Sequence, residues 1–147
     1  MPNAQFHMIL GGFTGLMSAA VIPPLSPAAT PATLLGRTAG GAVGGMLPDR
    51  LEPATSPRHR AGFHSAAVGI LAAGLAECAR AFERRTCEWA AAQRLAAASE
   101  TDVLRRSLAT AVAWIAEFLG SAVVGAFAGY VSHLAADSST PLGIPLI

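Results

Sequence analysis

The sequence predicts an all-α protein, a small bundle of about four helices embedded in a membrane. Three observations carry that expectation. Of 147 residues, 52% are hydrophobic and only 13% are charged, with a mean hydropathy of +0.47. A soluble domain carries about 25% charge, so this chain has about half the polar coat that a water-exposed globule wears. The run from Ser107 to Ala136 is interrupted by a single formal charge, Glu117, and a spanning helix needs about 20 mainly apolar residues. Finally, Pro23-Pro24, the proline-bearing segment 47–60 and the polar stretch SETD cut the chain into a few long blocks. The size fits one domain over residues 1–147.

The elements follow in chain order. Residues 6–21 form an apolar helix that stops before Pro23-Pro24, where the missing amide and fixed φ end it. Its flank lacks the basic region of a cleaved leader. After the connector SPAATPAT, Thr33 is expected to cap a second helix reaching about Met46. Gly40, Gly41, Gly44 and Gly45 are poor helix formers in water, and their expected use is close approach of another helix, as small-residue faces allow in membranes. The segment 47–60, LPDRLEPATSPRHR, holds three prolines and is expected to be a loop. It carries Asp49, Arg50, Glu52, Arg58, His59 and Arg60, which makes it the first place to look for function.

A third helix is expected from about Gly62 to Leu95 or beyond. Its first half is apolar, and its second half mixes Glu77, Glu83 and Glu88 with Arg80, Arg84 and Arg85, with Phe82 and Trp89 on one face. A solvated amphipathic face is expected there, with an interfacial or partner-binding helix as the alternative. SETD marks a turn in which Ser99 or Thr101 caps a fourth helix over about 102–137, and SSTPLGIPLI follows as a terminal loop. Cys78 and Cys87 form no CxxC motif and read as small apolar residues on a helix.

Composition excludes several functions. Apolar content this high excludes intrinsic disorder. A net charge of +1 and a pI near 7.9 give no surplus for nucleic-acid binding driven by net charge. The basic residues are ten arginines and no lysine.

Chemistry concentrates at the predicted helix ends. His133 and Asp137 are four residues apart, so they project from one helical face and can share an ion. His59 and His64 lie at the start of the third helix. If helices three and four form an antiparallel hairpin, these four residues meet at one end, and the loop with Asp49 and Glu52 joins them. Whether His7 shares that end depends on how many segments cross. Imidazole and carboxylate are ligand types suited to zinc and similar divalent ions. Ionisable groups beside membrane-depth helices tend to pair or bind ions. Glu117 lies far from this cluster and is expected to make a polar contact between helices.

The segments GGMLPDRLEPATSPRHRAGFHS and GYVSHLAADSSTPLGIPLI resemble the YdjM-type family of predicted membrane-bound, metal-dependent hydrolases. The resemblance rests on His7 with Gly11, Pro48-Asp49, His59-Arg60 with His64-Ser65, and Gly129-Tyr130 with Ser132-His133, Asp137, Thr140 and Gly143. That family is thought to be related to the zinc-dependent phospholipase C and nuclease superfamily. The resemblance implies a ligand set of His7, Asp49, His59, His64, His133 and Asp137. Where many members have a second Asp two residues after the first, this chain has Leu51, with Glu52 beside it.

The expected function is therefore a membrane-bound hydrolase in which a divalent metal, zinc, activates water. Asp49 or Glu52 would accept a proton or complete the coordination, and Arg58 and Arg60 would clamp a phosphate, which makes a phosphoester the expected substrate, in a lipid or another membrane-delivered molecule. The alternative is a non-catalytic membrane protein or accessory subunit with a structural metal. The expected location is a membrane, the cytoplasmic one if the chain is bacterial. Counting Arg80, Arg84, Arg85, Arg94, Arg105 and Arg106 against Arg37, Arg50, Arg58 and Arg60 places the site away from the cytoplasm.

Overall fold

The computed structural model describes residues 3–21, 30–53 and 62–139. These form four helices, α1 (Ala4–Val21), α2 (Pro31–Leu51), α3 (Ala66–Ala98) and α4 (Val103–Ser138), and no strand occurs among the described residues. The all-α bundle expected from the sequence is what the chain forms. Helix α4 touches all three others, α2 packs between α1 and α4, and the α3 backbone packs against α4, reaching α2 only through side chains.

The helix ends differ from expectation in instructive ways. Thr30 rather than Thr33 caps α2, accepting the Thr33 N–H at 3.2 Å, with Pro31 in the first turn where its missing amide costs nothing. At the other end α2 runs through Pro48 to Leu51, so the first part of the expected loop 47–60 is helical. A proline this close to a C-terminus forfeits only the bond back to residue 44, and the Pro48 carbonyl still accepts the Glu52 N–H at 2.9 Å to finish the turn. Ser65 caps α3. Asp102, neither Ser99 nor Thr101, caps α4, its carboxylate accepting the N–H groups of Leu104 and Arg105 at 2.8 and 3.2 Å. A carboxylate there also meets the positive end of the helix dipole; Ser99 instead closes α3. The terminal segment SSTPLGIPLI lies outside the described residues beyond Ser139.

The glycines of α2 do what their spacing implied. A Cβ at Gly40 would overlap the carbonyl of Ala122 on α4, and one at Gly41 would overlap the carbonyl of Gly11 on α1. Gly36 and Gly44 extend the first row and Gly45 the second, so α2 lies backbone to backbone against two helices at once. That contact brings main-chain carbonyls within reach of side chains on neighbouring helices.

Helix α4 is long and apolar enough to cross a membrane, and only a third of its most apolar stretch is buried inside the bundle. The remainder, including Ile115, Leu119, Val123 and Val131, faces outward. The second half of α3 keeps Glu77, Arg85 and Glu88 on an exposed face, as expected, with one departure. Phe82 and Trp89 are exposed, but Glu83 is 5% exposed and paired with Arg37, itself 3% exposed. Arg37 therefore sits in mid-bundle and belongs to neither end in a count of positive charges. Glu117 makes the expected contact between helices, accepting from the Thr30 hydroxyl at 3.0 Å and pairing with Arg94 of α3. Cys87 is buried and Cys78 exposed.

Candidate metal centre

Each helix contributes an end or near-end to one polar cluster. His7 comes from the first turn of α1, Asp49 from the last turn of α2, His64 from just before the Ser65 cap of α3, and His133 and Asp137 from the last turns of α4. The antiparallel arrangement of α3 and α4 brings the start of one to the finish of the other, and His7 lies at the same end.

His7, His64 and His133 are each almost wholly buried, as is Asp137, while the Asp49 side chain is 37% exposed and forms the open side. His64 Nε2 lies 3.3 Å from Asp49 Oδ1 and 3.9 Å from Asp137 Oδ2. His133 Nε2 lies 3.8 Å from the same Asp49 oxygen and 3.6 Å from the same Asp137 oxygen. The other Asp137 oxygen stands 3.6 Å from His7 Nε2, so this carboxylate faces histidines on both sides. The His7 and His133 rings stack with centroids 3.8 Å apart. Two overlapping groups, His7 with Asp49 and His133, and His64 with His133 and Asp137, each hold their ligand atoms within 4.8 Å of one another.

These separations have a chemical meaning. Most exceed the 2.7–3.2 Å usual for a hydrogen bond to nitrogen. Two atoms each about 2.0–2.2 Å from one tetrahedral zinc stand about 3.4 Å apart, which is the range seen here.

Protonation sharpens the point. His133 Nδ1 lies 2.7 Å from the Gly45 carbonyl, which can only accept, so Nδ1 carries the proton. Nε2 then presents a lone pair toward two carboxylate oxygens. It is fully buried and makes no hydrogen bond. A proton added to Nε2 would reach neither oxygen at 3.6 and 3.8 Å. A cation between these atoms removes the conflict, and a second nitrogen bonded to a backbone carbonyl is the usual support of a metal-binding histidine.

Glu52 serves His64 in the same way. Its carboxylate lies 3.3 Å from His64 Nδ1 and accepts the backbone N–H of Gly62 at 2.9 Å and of His64 at 3.4 Å. Burial works to raise its pKa, but the bonds from the His64 ring and from the backbone of Gly62, Phe63 and His64 outweigh it and hold the carboxyl below its usual range. Glu52 thus stands behind His64 as an orienting group, on the far side of the ring from Asp49. Tyr130 donates its hydroxyl to the Phe63 carbonyl and so ties the segment bearing His64 to α4.

Of the residues expected from the sequence, His7, Asp49, His64, His133 and Asp137 come together, and Glu52 adjoins them. Arg58, His59 and Arg60 lie outside the described residues. The Gly45 carbonyl has no chemical signature in sequence, although the Gly44-Gly45 pair marks where a backbone lies bare; Tyr130 belongs to the Gly129-Tyr130 motif, which does not specify the Phe63 carbonyl as its partner. No family model, curated protein or solved structure matches the chain, so the geometry of the cluster carries the functional reading.

Proposed function

We propose that the protein is a membrane-bound, metal-dependent hydrolase of phosphoesters. The supporting observation is His133, whose buried Nε2 lone pair faces the Asp49 and Asp137 carboxylates with its tautomer set by Gly45. Two carboxylates and neutral imidazoles carry a charge that one divalent cation balances, and nitrogen with oxygen donors suits zinc. The motif resemblance to the YdjM-type family and the apolar α4 support the same reading.

His7, Asp49, His64, His133 and Asp137, joined by His59, would hold the ion. When bound, it supplies a water whose pKa is brought from 15.7 toward about 7, and polarises a phosphoryl oxygen. In the net reaction the water oxygen bonds to phosphorus, the ester P–O bond breaks, and the leaving alkoxide takes a proton. Asp49 is the most solvent-open of the carboxylates and is placed to accept a proton. Glu52 keeps the His64 ring oriented, and Arg58 and Arg60 neutralise the phosphate.

The test is metal analysis of the purified chain, followed by hydrolysis of bis(p-nitrophenyl) phosphate and p-nitrophenyl phosphate. Stoichiometric divalent metal and turnover, both lost in His133→Ala, are expected. A chain that binds metal but turns over neither ester would support the structural-metal alternative, and a chain without metal under non-chelating conditions would overturn both.

A further inference from the structure

Helices α2 and α3 both pack on α4 but never approach each other through their backbones. The gap is a groove of about 270 Å³, walled by Leu47 and Leu51 of α2 and by Leu71 and Leu75 of α3, and floored by Phe127 and Tyr130 of α4. The Tyr130 hydroxyl is spent on the Phe63 carbonyl, so the residue offers the groove its ring. The rim is half open: Leu47, Leu51, Leu71 and Leu75 are 39%, 49%, 60% and 43% exposed.

We infer that this groove holds the hydrocarbon chain of a phosphate-headed membrane amphiphile whose head lies at the metal centre. The inference rests on the hydrolase reading above and names its substrate class. Three observations favour this occupant. The groove lies at the cluster's end of the bundle: its lining residues Leu51, Phe63 and Tyr130 stand one to three residues from Asp49, His64 and His133. Its lining suits a hydrocarbon chain: Leu47, Leu51, Leu71, Leu75, Phe127 and the Tyr130 ring present carbon along a wall that rises about 10 Å from Val68 to Leu75. Finally, the floor helix is the one apolar enough to cross a membrane among the described residues, so a lipid in the bilayer meets the open rim side-on.

The test uses the full chain in nanodiscs and a photoreactive hexadecyl phosphate with a diazirine on its chain. Crosslinks are expected to concentrate on Leu71 and Leu75 over Ile9, Phe13 and Leu119, which are equally apolar and exposed but lie outside the groove. Leu75→Trp fills the groove and is expected to lower labelling of Leu71 about tenfold, the effect of excluding between one and two methylenes. Its metal content and its turnover of bis(p-nitrophenyl) phosphate should match the parent, while Leu108→Trp, on a remote exposed face, should leave labelling unchanged. Even labelling of all exposed apolar residues, or no effect of Leu75→Trp in a chain that still binds metal, would overturn the groove and leave the hydrolase reading standing. Labelling confined to the groove in a chain that hydrolyses neither soluble ester nor hexadecyl phosphate would overturn the substrate role and the hydrolase reading together.

Discussion

Two buried polar regions of this bundle each set basic side chains against carboxylates, and they are opposite in geometry. In mid-bundle, Arg37 of α2 meets Glu83 of α3 through two hydrogen bonds of 2.9 and 2.7 Å and donates a third to the Ser18 carbonyl of α1 at 2.7 Å. At the cluster, histidine nitrogens and carboxylate oxygens stand 3.3–3.9 Å apart, and one buried nitrogen makes no bond at all. The first region is complete in itself: charges cancel and every guanidinium nitrogen has an acceptor. The second sets its described histidines and carboxylates at separations longer than an ordinary hydrogen bond to nitrogen. Burial alone does not distinguish a structural polar group from a binding one; the distances and the sign of the facing charges do.

The comparison can be broken by removing partners in each region. Arg37→Met leaves Glu83 as an uncompensated buried charge and should cost about 3–5 kcal/mol in unfolding experiments. The double variant Arg37→Met with Glu83→Leu should recover most of that loss, because a buried pair replaced by apolar residues is often neutral. At the cluster the logic inverts. Asp137→Ala should lower metal affinity by more than about 100-fold, the upper end of what losing a mere supporting residue costs. Adding His133→Leu should restore none of it by titration calorimetry. If the cluster pair recovers as the mid-bundle pair does, the two regions are the same kind of structure and the metal reading fails.

A smaller effect separates the orienting group from the ligands. Glu52→Gln keeps the shape but weakens the hold on His64, and metal affinity should fall about 10–100-fold. The same carboxylate makes a pH signature in the metal-free chain. Its pKa is lowered on folding from an ordinary value of 4.5, so its contribution to stability is fully present above that value and disappears as the pH falls through the lower, folded value. Thermal melts from pH 6 downward should therefore show a loss in the parent that Glu52→Gln lacks. An identical pH dependence in both would mean that Glu52 does not gain its hydrogen bonds on folding.

Much of this was legible in the residues. Long apolar blocks and proline breaks marked four helices, the glycine rows of α2 marked backbone contact, and the i, i+4 pair His133 and Asp137 with His64 opposite marked one end of a hairpin. Arg37 and Glu83 were not legible as partners. They are 46 residues apart on helices that share no backbone contact, and Glu83 sits in a run of charges that periodicity alone assigns to solvent. Pro48 misled for a different reason: breaker rules weigh a proline by its presence, whereas its cost depends on which carbonyl it leaves unpaired. Asp102 caps α4 in place of its hydroxyl neighbours Ser99 and Thr101, because an acid answers the helix dipole better.

The ligands of the cluster come from residues 7, 49, 64, 133 and 137, nearly the full span of the chain. The α3–α4 hairpin is local in sequence and can form early, as contacts between neighbours do. It supplies only His64, His133 and Asp137. Asp49 and His7 come from the α1–α2 pair, which is just as local in sequence. Full affinity for an ion is thus a property of the finished bundle alone, and the occupancy of the site is a quality check on assembly that no partly packed chain can pass.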